Sequence, residues 1–125
     1  FILRKKNKIP IIGWTGSHST LKQLEPIWPL LEAIYRENPF EFHLVSDLFP
    51  DSVPEFVNCI PWNKKTEIED LNRFDIGIMP LFNSDWEKGK CGFKLLQYFA
   101  MEIPAVASDV GVNCQIIDEG KNGFL

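Results

Sequence analysis

Three cysteines, two histidines and no apolar run of membrane-spanning length leave this chain with little of the chemistry that announces itself in a sequence. Cys59, Cys91 and Cys114 are odd in number and widely separated, with no C-x-x-C pair, so neither a disulfide framework nor a zinc site is expected. A reducing, cytoplasmic setting fits that usage. His18 and His43 alone cannot build a histidine-rich metal centre. The N-terminus lacks an apolar signal-peptide core, and no stretch approaches the eighteen residues of a membrane span. Positive charge is also short: 13 basic against 17 acidic residues give net −4, which argues against nucleic-acid binding driven by phosphate neutralisation. The one basic run, Arg4, Lys5, Lys6 and Lys8, reads as a solvated linker end, so residues 1–8 are set apart from a domain over 9–125.

What is present is ordinary for a folded domain. The chain has 125 residues, 45% hydrophobic and 24% charged, which is one domain by length. A chain of this mass can bury roughly two-thirds of its unfolded surface, enough for a core without staples. It opens on Phe1 and stops at Leu125 within "NGFL", where a strand begins, and so reads as a piece of a larger protein.

Apolar runs alternate with helical periodicities, the signature of a parallel α/β sheet. Strands are predicted over Ile9–Trp14, Phe40–Asp47, Val57–Trp62, Asp75–Phe82 and Ile103–Ser108. Between the first two, Thr20 and Gln23 have capping-box spacing, and Leu21, Leu24, Trp28, Leu31 and Tyr35 recur at helical intervals. Pro26 and Pro29 predict a break there, or a helix that starts at one of them. Ile68, Leu71 and Phe74 mark a short amphipathic helix, Phe93–Met101 another with Leu95, Leu96, Phe99 and Met101 inward, and Cys114–Glu119 a third. "NSDWEKGKC" reads as a polar loop. The order describes a Rossmann-like half.

In open parallel sheets, ligands bind beyond the carboxyl ends of the strands. Gly16, Ser17 and His18 follow the first strand and can offer backbone N–H groups to an anion, although a plain capped turn explains them equally. Lys90 precedes a helix whose first N–H groups belong to Gly92, Phe93 and Lys94, a setting that favours phosphate. Gln97, one turn on, can both donate to and accept from a sugar or ribose hydroxyl. Gly111 lets the backbone approach a ligand closely. Trp62 and Trp86 stand at loop edges, where a tryptophan either flanks a nucleobase or lids the core.

The run "GFKLLQYFAMEIPAVASDVGVNCQIIDEGKNGFL" resembles the donor-binding half of group 1 (family 4) glycosyltransferases, which have the GT-B fold of two facing Rossmann-like domains. The P-x-V-A-S strand at Pro104 to Ser108, with Gly111, Gly120 and Gly123, carries the match, and "IIGWTGS" and "FDIGIMPL" extend it more weakly over nearly the whole chain. The resemblance implies a retaining transferase with a nucleotide-sugar donor, no cofactor and no metal. It places the acceptor site in a second Rossmann-like domain outside this chain, and with it any contact to the inner face of a membrane. It also implies capsule or other polysaccharide synthesis. The isolated piece is then expected to bind donor without turning it over.

The departures are local. Gln97 and Gly89 stand where the family usually has two acids, Glu87 lies two positions early, and Gln115 replaces a third acid. Glu102 occupies the place of a helix-ending glycine, at a cost of roughly 1 kcal/mol if left-handed. No Arg and Lys phosphate pair follows the first strand, so Lys90 and Lys94 are expected to take over part of that role. Two other readings fit less of the string. One is a non-catalytic nucleotide-binding or protein-interaction module that has lost the acids, the other a different two-Rossmann sugar-nucleotide enzyme such as an epimerase.

Overall fold

Six short runs, four of them followed by a helical segment, close here into one sheet. The computed structural model describes residues 7–89 and 92–125. Its elements are β1 (Ile11–Thr15), a 3-10 stretch (His18–Ile27), α1 (Trp28–Glu37), β2 (Glu41–Ser46), β3 (Val57–Pro61) and α2 (Glu67–Asn72). Then come β4 (Ile76–Met79), α3 (Asp85–Lys88), α4 (Phe93–Ala100), β5 (Ala105–Ala107), α5 (Asn113–Ile116) and β6 (Gly123–Phe124). All pairings are parallel and the order is β3-β2-β1-β4-β5-β6. That is the doubly wound order, with its topological switch between β1 and β4. The fold is therefore α/β and Rossmann-like, as expected, and "NGFL" does begin a strand.

Two cores flank the sheet. On one face Trp14, Leu24, Leu31, Phe40, Phe42, Leu44 and Phe56 pack together, with Trp28 and Tyr35 of α1 against them. On the other, Leu71, Phe74, Leu95, Tyr98, Ile103 and Ile117 form a second cluster. Pro29 falls in the first turn of α1, where its missing N–H would have had no partner anyway. The segment before it is 3-10 rather than α.

Several expectations are corrected. No capping box forms at Thr20: its Oγ1 donates to the Ser17 carbonyl at 3.0 Å, and Gln23 is buried and bonded elsewhere. "NSDWEKGKC" is not all loop, because Ser84 caps the one-turn α3 by accepting from the Glu87 N–H. The signal was there in Ser84-x-x-Glu87. In α4 the fully buried stripe is Leu95 and Tyr98, while Leu96 is 52% exposed. Ile68 likewise faces solvent at 75% exposure. The last helix ends at Ile116 because Asn122 folds back on it, donating to the Ile116 carbonyl and accepting from the Asp118 N–H.

Candidate functional site

The chain leaves β1 and β4 in opposite lateral directions, and the gap between them opens into a cleft of about 530 Å³. The Gly16–Ser17 turn forms one wall, the end of β4 at Met79–Leu81 the floor, and Gly89 with Gly92–Lys94 the other wall. Gly16 is anchored by its N–H to the Val45 carbonyl of β2 at 3.1 Å. The Ser17 hydroxyl lies 2.7 Å from that of Ser19.

Gly92 starts α4 from a left-handed conformation, φ 70°, and a Cβ there would run into the Ile116 side chain. Only glycine serves both conditions. It brings no side chain to cap the first turn of this eight-residue helix, and the helix's N-terminal end, with its partial positive charge, lines the cleft. The Lys94 ammonium sits 4.3 Å from the centroid of the Trp14 ring, a cation–π contact that places a positive charge against the buried indole. No carboxylate lines this cleft among the described residues.

Five of the sequence-predicted residues meet here: Gly16, Ser17, Gly92, Phe93 and Lys94. Lys90 lies outside the described residues. His18 is not among the residues lining this cleft: its N–H donates to Asp47 Oδ1 at 2.7 Å and its Nδ1 lies 2.6 Å from Asp47 Oδ2. The hydrogen bond from the His18 side chain pulls the Asp47 carboxyl down to about 2. Trp62 belongs to a neighbouring cleft of about 380 Å³ with Thr15, Gly16, Ser17 and Asp47, so the Gly16–Ser17 turn is a wall common to both. Gln97 is turned to α2, donating to Glu67 Oε1 at 2.8 Å, and is not among the residues lining the first cleft.

Gly111 needs a different explanation from the one its sequence suggests. Its φ is 59° and a Cβ would lie 2.7 Å from the Lys88 carbonyl oxygen. The close approach it permits is to the protein's own backbone. Trp86 is no lid, being 79% exposed.

Sequence reasoning also missed a buried connection. Gln23 and Glu87, 64 residues apart and 3% and 4% exposed, are hydrogen-bonded at 2.9 Å between the segments that follow β1 and β4. Glu87 is therefore spent inside the protein rather than offered to the cleft. Among the described residues no group of three His, Cys, Asp or Glu side chains could hold a metal ion. No described helix is long and apolar enough to cross a membrane.

Fold order and switch-point cleft together define a Rossmann-like α/β domain with a cleft at the carboxyl ends of its strands. The sequence profile of the glycosyl transferases group 1 family matches residues 9–125, and the chain belongs to that family. Among solved structures it is similar to TarM, with a TM-score of 0.67 at 13% identity, over 100% of this chain and 28% of that one. The chain thus spans little more than a quarter of TarM's length. No curated protein matches.

Proposed function

We propose that this chain is the donor-binding half of a retaining glycosyltransferase, holding the nucleoside diphosphate of a nucleotide-sugar in the first cleft. The observation that carries the reading is the N-terminal end of α4 at Gly92, with the Lys94 ammonium beside it, lining the cleft at the β1/β4 switch point. Backbone N–H groups and a lysine there offset charge on the leaving diphosphate, a preorganised electrostatic effect that requires no metal. Lys90 would add a second positive charge. Trp62, in the neighbouring cleft beside the shared Gly16–Ser17 wall, would flank the nucleobase. The acceptor would be held mainly by a second Rossmann-like domain, so residues 9–125 alone bind donor without transfer. Polysaccharide synthesis at the cytoplasmic face of a membrane suits such a donor.

Titration of the ¹⁵N-labelled chain with UDP, GDP and ADP tests this. Amide shifts for one nucleotide should cluster at Gly16 to Ser19 and Gly92 to Gln97. Lys94→Ala should weaken that nucleotide about tenfold, the worth of one charge-assisted hydrogen bond. An unchanged affinity would remove Lys94 from the phosphate site.

The acid-free lining favours a second reading, a non-catalytic module of the same fold. Absence of any nucleotide-dependent shift in a folded sample would select it.

A further inference from the structure

The Gln23 amide is used at both ends. Its Oε1 accepts the Phe82 N–H at 2.7 Å and its Nε2 donates to Glu87 Oε1 at 2.9 Å. The second Glu87 oxygen is hydrogen-bonded to the Ser84 hydroxyl. One side chain from the segment after β1 therefore grips the loop after β4 at two points five residues apart, just before that loop leads into Gly92 and α4. Behind the loop, the left-handed turn at Gly111 packs directly on the Lys88 backbone. The segment carrying one wall of the cleft is thus held from both sides.

Stability alone does not account for this choice of residues. A buried charge with polar partners contributes little net stability compared with a well-packed apolar pair of equal size. What directional hydrogen bonds add is position, to within tenths of an ångström. We propose that Gln23 and Glu87 are positioning residues for donor binding: their bridge sets the distance between the Gly16–Ser17 wall and the N-terminus of α4. The proposal rests on the donor-binding reading above.

The test uses the full-length protein and whichever of UDP, GDP or ADP the wild type binds. Gln23→Leu keeps the volume and removes both bonds. Gln23→Asn keeps the chemistry and shortens the reach by one methylene, and serves if the leucine variant does not fold. The exchanged pair Gln23→Glu with Glu87→Gln rebuilds every bond with the charge moved: Glu at 23 accepts from Phe82 N–H and from the new amide at 87, which still accepts from Ser84. Nucleotide affinity of the folded protein should fall at least tenfold in Gln23→Leu and about threefold in Gln23→Asn. It should recover in the exchanged pair to above the Gln23→Leu level but short of wild type, because Gln23 lines the cleft and the carboxylate moved there repels the diphosphate. Wild-type affinity in a folded Gln23 variant whose melting temperature has dropped would reduce the bridge to a structural contact and overturn the proposal. A wild type that binds no nucleotide would instead overturn the donor-binding reading, and the proposal with it.

Discussion

On the face of the sheet that α1 covers, Val57, Phe42, Ile12 and Ile76 stand in one register row across β3, β2, β1 and β4. On the opposite face the neighbouring row runs from His43 of β2 through Gly13, Gly77, Ala105 and Gly123. The first row meets its helix with bulk, Phe42 lying edge-on to Trp28 of α1 at 5.3 Å between ring centroids. From β1 onward the second row supplies almost nothing, and the rings come from the other side. Phe74 lies over Gly13, and Tyr98 of α4 lies over Gly77, where a Cβ would stand 2.6 Å from the ring. The Tyr98 hydroxyl reaches past the strand surface to donate to the Ile78 carbonyl at 3.0 Å, and burial pushes its pKa well above the usual range. One face is cushioned by side chains. The other brings a helix down almost onto strand backbone, and that helix is the one whose N-terminus lines the cleft.

The two rows should fail in opposite ways. Phe42→Ala removes a fully buried ring from the bulky row and should cost about 4 kcal/mol, mostly as cavity. Gly77→Ala adds a single carbon to the bare row and should cost about 3 kcal/mol, because the Tyr98 ring has no room to yield. Urea denaturation of both variants measures this. A harmless Gly77→Ala would mean that α4 can back away from the sheet, and the contrast between the faces would be lost.

This contrast was only partly legible in the sequence. Glycines within "IIGWT" and "DIGIM" were visible, but that Gly13 and Gly77 share a row depends on β1 and β4 being neighbours, which needs the strand order. The element sequence and the Rossmann-like class were legible because apolar runs and helical periodicity are local. The start of α4 at Gly92 and the lysine behind it were legible for the same reason. The bonds Gln23–Glu87, Gln97–Glu67 and His18–Asp47 join residues 64, 30 and 29 apart, and no local rule pairs them. They are what turned Gln97 toward α2, and they set Glu87 inside the protein. The Gly111 turn misled for a related reason, since glycine's tolerance of close approach does not say what approaches.

The far end of α4 sharpens the comparison at lower energy. Glu102 is the one non-glycine residue with positive φ among the described residues, at 60°. It stands where the resemblance puts a glycine, just before Ile103 returns the chain to the small-residue face. An L-residue there carries strain of about 1 kcal/mol. Glu102→Gly should therefore stabilise the fold by about 1 kcal/mol, the reverse of the usual effect of introducing glycine. If it destabilises, the loss of chain entropy outweighs the relief, and the helix end is less constrained than its start.

The smallest effect belongs to neither face. The turn after β1 is held at its exposed edge by Asp47, through the His18 N–H and ring, and not by packing. Those bonds favour the carboxylate, which lowers its pKa from 3.8 to about 2 in the folded chain. A depressed carboxyl contributes stability that is fully present above the unfolded value and is lost as pH falls through the folded one. The stability difference between wild type and Asp47→Asn should accordingly be constant above about pH 4 and shrink between pH 4 and 2, and it should be small throughout because solvent screens an exposed pair. Carboxyl ¹³C shifts of Asp47 followed from pH 6 to pH 1.5 give the midpoint directly. A midpoint near 4 would mean that the His18 contact does not hold this turn in solution, and the wall common to both clefts would then rest on the Gly16 to Val45 backbone bond and the Thr20 bonds to the Ser17 carbonyl.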